Sequence, residues 1–267
     1  MKPMGRIPDG FAAGPAGRLM IGGADVEELV ARAGDTPLFV YDFGMIRQRV
    51  GALRAAMPAA LGLHYAVKAN PMPALVSALA PLVDGLDVAS AGEMRLALSC
   101  MAASRLSFAG PGIRDGELEE AIRAGVILNT ESEGEAGRAI AIGHRLGIRP
   151  RLAVRVNPDF DLKGSGMRMG GGARPFGVDA ERVPALVRLI VESGAEWIGF
   201  HIFAGSQALD PVAISETQAQ TVALAARLSE AVGQAPAKVN LGGGFGIPYF
   251  PGDRAVDIGA IGSRLEH

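Results

Sequence analysis

His64-Tyr65-Ala66-Val67-Lys68-Ala69-Asn70-Pro71 joins an alternating apolar run to a turn signal, with a lysine where the run ends. In a strand, Leu63, Tyr65 and Val67 share one face, and His64, Ala66 and Lys68 share the other. Ala66 thins the lysine's face and leaves room beside the amine for a flat group. Two roles for Lys68 follow. Its stem can cover apolar surface at the strand end while its ammonium reaches water. Alternatively, its amine can be a nucleophile that forms a Schiff base with a carbonyl cofactor.

Outward from this stretch the pattern becomes regular. Pro73 opens a helix to about Leu82. Strands are then expected at Asp84–Ala89, Arg105–Ala109, Val126–Thr130, Arg151–Val156, Trp197–Ala204 and Lys238–Leu241. Helices fall between them: Ser90–Leu98, Arg114–Ala124, Glu133–Leu146, Ala180–Ser193 and Asp210–Val232. Strand and helix alternate seven times from residue 63. That predicts a parallel sheet with helical crossovers, and the unit size favours a (β/α)8 TIM-type barrel over a doubly wound sheet. An eighth strand is not visible before the sequence ends at Leu265-Glu266-His267, which resembles the start of an affinity-tag remnant. The reading is of a barrel incomplete at its C-terminus, spanning 36–267, behind an arm and short helix over 1–35. Residues 1–22 read as a loosely held arm, Asp25–Ala33 as a helix, Leu38–Tyr41 as a short strand and Asp42–Met57 as a capped helix. A long loop is expected over Asn157–Val178.

Composition narrows the classes. The 267 residues are 49% hydrophobic, enough for one large core. A net charge of −2 gives no electrostatic footprint for nucleic acid or an acidic membrane. No apolar run is long enough to span a bilayer, and no signal pattern opens the chain. One cysteine, Cys100, fits a reducing compartment and reads as core packing. The expectation is a soluble, cytoplasmic protein. The four histidines lie far apart and show no metal-ligand spacing, so no metal is expected.

In a barrel, chemistry gathers at the C-terminal ends of the strands. Lys68, Asp87, Arg155, His201, Phe203 and Ser206 all fall there. On the fifth strand, Leu152, Val154 and Val156 should pack on helices, while Arg151, Ala153, Arg155 and Asn157 face the interior. Gly242-Gly243-Gly244 follows the seventh strand. It can be a flexible turn, or a cradle whose amides meet a phosphate. It is neither a Walker loop nor a dinucleotide fingerprint. A Schiff-base lysine beside a phosphate cradle fits pyridoxal 5′-phosphate (PLP).

These residues also carry a family likeness. Tyr65-Ala66-Val67-Lys68-Ala69-Asn70, Asp87-Val88-Ala89-Ser90-Ala91-Gly92-Glu93, His201 through Gln207 and Gly242-Gly243-Gly244-Phe245-Gly246 resemble the fold-type III PLP-dependent decarboxylases. These include diaminopimelate and ornithine decarboxylases, built on an alanine racemase-like barrel. The loop Asn157–Gly172 resembles a narrower branch associated with exosortase and exopolysaccharide gene clusters. The resemblance implies PLP held by Lys68 as a Schiff base, with Ser206 and Gly242, Gly243 and Gly244 on the phosphate. It implies Arg155 near the ring or its phenolic side and Asp87 in the network around Lys68. Phe203 stands where the family has a ring-stacking histidine; it can stack but cannot carry a proton. His201, on the same face, can contribute instead or be a satisfied core histidine. The resemblance further implies a small amino-acid substrate, a homodimer, and a C-terminal β domain with a Glu-Pro-Gly-Arg-like element, a cysteine and a tyrosine. The sequence in hand carries none of these C-terminal features, so weak PLP binding and little turnover are expected of it alone. Two alternatives remain open. One is a PLP racemase, against which Pro71-Met72-Pro73 speaks, since racemases carry a Tyr-Gly-His element there. The other is a non-catalytic homologue acting as a binding scaffold.

Overall fold

The computed structural model describes residues 11–14, 17–168, 170–172 and 175–266. The first ten residues of the expected arm, Met169 of the 157–172 loop and His267 lie outside them. Three short strands come first: β1 (Phe11–Ala13), β2 (Leu19–Ile21) and β3 (Ala24–Asp25). Helices α1 (Val26–Ala33) and α2 (Phe43–Ala56) follow. Then come β4 (His64–Ala66), α3 (Pro73–Leu79), β5 (Gly85–Val88), α4 (Ala91–Leu98), β6 (Leu106–Ala109) and α5 (Asp115–Ala124). The middle of the chain holds β7 (Ile127–Thr130), α6 (Glu133–Leu146), β8 (Arg151–Asn157), β9 (Met167–Arg168), β10 (Val178–Asp179) and α7 (Val183–Glu192). The last elements are β11 (Glu196–Ile202), β12 (Gly205–Ser206), α8 (Pro211–Val232), β13 (Lys238–Asn240) and α9 (Ile258–Leu265).

The main sheet runs β13-β11-β8-β7-β6-β5-β4, every pair parallel, with β10 added beside β8. Seven strands laid flat would separate β13 from β4 by roughly 29 Å. Instead Lys238 Nζ on β13 lies 3.0 Å from His64 Nε2 on β4. The sheet is therefore curled into the TIM-type barrel expected, with side chains bridging the gap between its two edge strands.

The faces divide as alternation requires. Leu152, Val154 and Val156 join a large core between strands and helices with Leu86, Phe108, Leu128, Phe200 and Ile202. Ala153 points the other way and packs with Ile127 and Ile198 inside the barrel. Helix starts follow sequence signals: Asp25, Asp42, Ser90, Ser132, Asp210 and Asp257 each accept a backbone amide of the first turn.

Three expectations need correction. The described part of the arm is not loose: β1, β2 and β3 form an antiparallel sheet. Strands of two or three residues are too short to leave a periodic signal. Leu38–Tyr41 is not a strand, and Phe39 is 85% exposed. β propensity makes a strand only where a ladder partner exists, and this segment pairs with nothing among the described residues. The long loop after β8 is not structureless either, since it contains β9, which pairs with β12, and β10.

Candidate active site

The first strand was expected to reach Lys68, but β4 ends at Ala66. Val67–Ala69 is a 3₁₀ turn closed by the Asn70 amide donating to the Val67 carbonyl at 3.1 Å. Tyr65 Oη donates to the Asn70 carbonyl at 3.1 Å, and Asn70 Oδ1 accepts the Met72 amide. These bonds break the alternation and lift Lys68 out of the strand. Lys68 is exposed at the barrel mouth, not buried, and makes no hydrogen bond or ion pair among the described residues. A strongly hydrated amine is thus left free at a fixed point of the backbone.

Arg155, on β8, has the opposite setting. It is 8% exposed, and its Nη1 donates to Glu131 Oε1 at 2.7 Å. Its guanidinium also lies 5.0 Å from the Phe176 ring centroid. Glu131 Oε2 accepts the Gly177 amide at 3.2 Å, so one carboxylate holds both Arg155 and the end of the 158–177 loop. Ser132 Oγ accepts the Glu135 amide and caps α6, and Glu135 Oε2 reaches back to accept the Glu131 amide. Burial, with the Glu131 carboxylate adding, pushes the Glu135 carboxyl up to about 7 against that hydrogen bond.

Asp87, on β5, does not pair with Lys68. Its Oδ1 lies 2.8 Å from His64 Nδ1, and its Oδ2 accepts from Asn240 Nδ2 at 3.4 Å. Burial alone would raise this carboxyl; the hydrogen bond from His64, with help from that of Asn240, outweighs it and holds the carboxyl below its ordinary range. Gly85 makes room for His64, because a Cβ there would run into the imidazole and the Arg105 carbonyl. His201, paired in register with Arg155 on one side and Asn240 on the other, is half-buried, and its Nδ1 has no partner. Burial, then the positive charges of Arg155 and Lys68 against the pull of Asp87, push His201 down to about 4. It is a neutral imidazole at physiological pH, not a satisfied core histidine.

The two loops at the far side of the mouth run together. The Ala208 amide donates to the Gly244 carbonyl at 2.9 Å, and the Gly246 amide donates to the Ala208 carbonyl at 2.7 Å. This lays Gly242–Gly246 alongside Gly205–Ala208, which contains Ser206. Gly242 and Gly244 have φ of 70° and 105°, conformations that strain any residue with a Cβ. A Cβ on Gly242 would sit 2.5 Å from the Phe203 ring, so Phe203 packs against the first glycine of the turn. Nothing lies within 4 Å of a Cβ built on Gly243. The amides of Gly243 and Gly244 have no hydrogen-bond acceptor among the described residues, whereas that of Gly242 donates to Asn240 Oδ1 at 2.8 Å.

The arrangement therefore brings together a free amine, a neutral imidazole with an unpartnered nitrogen, a fixed guanidinium and two free amides beside a hydroxyl. These fit a small ligand that carries both a carbonyl and an anionic group. Among the described residues, no three His, Cys, Asp or Glu side chains cluster as metal ligands. His64, Glu131, Phe176, Lys238 and Asn240 complete the site, and no role was expected of any of them. Interior-facing alternation could have found His64, Lys238 and Asn240; Glu131 and Phe176 lie on loops with no such signal.

The family described as "Pyridoxal-dependent decarboxylase, pyridoxal binding domain" matches residues 43–267. A diaminopimelate decarboxylase of Aquifex aeolicus is 36% identical over 89% of this chain and 57% of its own. An L-glutamyl acyl-carrier-protein decarboxylase of Niallia circulans is 33% identical, over 89% of this chain and 56% of its own. The solved diaminopimelate decarboxylase of M. jannaschii superposes with a TM-score of 0.87 at 27% identity, covering 97% of this chain and 62% of that one. The chain thus spans somewhat more than half the length of the curated relatives it matches.

Proposed function

The chain belongs to the pyridoxal-dependent decarboxylase family through its pyridoxal-binding domain, and we propose from that premise that it serves the decarboxylation of a free amino acid of the diaminopimelate or ornithine type. The observation that carries the reading is the unpartnered Lys68 amine facing a mouth that also holds the free amides of the triglycine turn. Bound PLP would supply an aldehyde that couples to amines and a pyridine ring that takes up the electron pair left as CO2 departs.

In this reading Lys68 is the covalent anchor for the cofactor. Ser206 Oγ and the amides of Gly243 and Gly244 would donate to its phosphate, with Gly242 shaping the turn. Phe203 contributes a flat apolar face and no proton. Arg155, immobilised by Glu131, is a fixed positive charge. His201 stays neutral and offers a hydrogen bond. Asp87 stays ionised. When not bonded to the cofactor, Lys68 Nζ could hold or deliver a proton at the substrate Cα.

The finer parts of the proposal concern the whole protein: a homodimer, a cytoplasmic location favoured by the single cysteine, and membership of the exosortase- and exopolysaccharide-associated branch, supported by the 157–172 loop. The test is CO2 release by the full-length protein with PLP and a panel of meso-diaminopimelate, ornithine, lysine and arginine. Release from one or more of these, lost in Lys68→Ala, is expected. Racemisation without CO2 would favour the racemase. Failure to acquire cofactor absorbance with added PLP would favour a binding scaffold, and full turnover by Lys68→Ala would overturn the role of the lysine.

A further inference from the structure

Where the curled sheet brings β13 to β4, polar side chains form one continuous path. Lys238 Nζ lies 3.0 Å from His64 Nε2, and His64 Nδ1 lies 2.8 Å from Asp87 Oδ1. Asn240 Nδ2 donates to Asp87 Oδ2 at 3.4 Å, and Asn240 Oδ1 accepts the Gly242 amide at 2.8 Å. The path leads from the barrel interior to the first glycine of the cradle, through two residues, Lys238 and His64, that the proposed reaction does not use. From this geometry we infer that Lys238 is a positioning residue for the cofactor: it holds the His64 ring between itself and Asp87, with Nε2 toward the amine and Nδ1–H toward the carboxylate, and through Asn240 it fixes the Gly242 turn.

The argument is one of donors and acceptors. An ammonium has donors only, so the ring nitrogen facing it must accept. A neutral imidazole then carries its proton on Nδ1, which faces the carboxylate. The ionised carboxylate accepts on both oxygens, which turns the Asn240 amide NH2 toward it and leaves Oδ1 for the Gly242 amide. Each contact fixes the polarity of the next. Burial pushes the Lys238 amine below its usual value and Arg151 adds to this, while Asp87 and Asp84 pull against them. If the shared proton crosses to Nε2, Lys238 becomes the acceptor and His64 still donates from Nδ1. Asp87 keeps its donor in either state, and the contact with Lys238 holds the ring in line with the carboxylate.

The inference rests on the proposed PLP site, and its test separates the two. In the cofactor-free protein, ¹⁵N NMR of the His64 ring reports which nitrogen is protonated. The wild type is expected to show a lone pair on Nε2. Lys238→Met removes the group that bars a proton there, so its Nε2 is expected to move to the protonated position. PLP affinity, read by absorbance titration, is expected to fall about tenfold in Lys238→Met, the loss of roughly one hydrogen bond to a charged group. His64→Phe is expected to show a similar loss and to make a further Lys238→Met change silent, because the path is already cut. An Nε2 lone pair retained in Lys238→Met, unchanged PLP affinity, or equal additive losses in the double variant would overturn the inference; should Lys238→Met not fold, unchanged affinity in His64→Phe does so. A wild type that binds no PLP would overturn the proposed function, while the ring nitrogen still reports on Lys238.

Discussion

The ends of β4 and β8 each present a cation at the barrel mouth, and the two could hardly be held more differently. Lys68 stands exposed on a 3₁₀ turn held by hydrogen bonds of Tyr65, Val67 and Asn70. Arg155 is buried, bonded to Glu131 and capped by Phe176. The difference separates two jobs. A group that must form and break a covalent bond is fixed through its backbone with its side chain left free. A group that must remain a constant charge is fixed through its side chain.

The sharpest break in that comparison is at Lys68. Lys68→Ala and Lys68→Arg are both expected to abolish covalently bound cofactor absorbance and to cut CO2 release by about 10³-fold or more. Arginine retains the charge, so activity surviving in Lys68→Arg would show that Lys68, too, acts only as a charge. Glu131→Gln addresses the other end. It leaves Arg155 buried without its carboxylate and is expected to cost about 4 kcal/mol in urea denaturation. A loss below about 1 kcal/mol would mean that Arg155 is not held by this pair.

Between the two cations lies His201. Its folded value of about 4 is below the unfolded 6.5, so the unfolded chain takes up the proton first as pH falls. Stability should therefore decline between pH 6.5 and 4, by up to about 3 kcal/mol from this group. In His201→Asn this part of the acid limb should flatten; urea midpoints from pH 4 to 7.5 check it, and an unchanged slope would count against a neutral, desolvated imidazole. The smallest effect is expected from Ser132→Ala, which removes the cap of α6 next to Glu131. It should cost about 1 kcal/mol and leave the Arg155–Glu131 pair in place, because Glu135 still receives the Glu131 amide.

The sequence made some of this legible and hid the rest, for physical reasons. Period-two alternation told Leu152, Val154 and Val156 from Arg155, because a parallel barrel buries one face against helices and the other inside. Ser90, Asp42 and Asp210 announced helix starts through their own hydrogen bonds. The true position of Lys68 depended on a side chain, Tyr65, reaching a backbone carbonyl five residues on, and no periodicity encodes that. Lys238 and His64 are 174 residues apart and meet only because the sheet curls. Glu131 lies beyond its strand, where alternation no longer tells direction.

Gly85 carries a consequence for how this site can vary between relatives. A Cβ there would meet the His64 ring and, on the backbone side, the Arg105 carbonyl. The dependence therefore runs one way. A lineage can lose His64 and keep Gly85, because the carbonyl alone still excludes a side chain. It cannot keep His64 in this place while gaining a side chain at 85. Among descendants of a common ancestor, histidine at position 64 should accordingly be nested within the set that has glycine at 85, and a single lineage with alanine at 85 and this imidazole intact would show that the backbone had moved first.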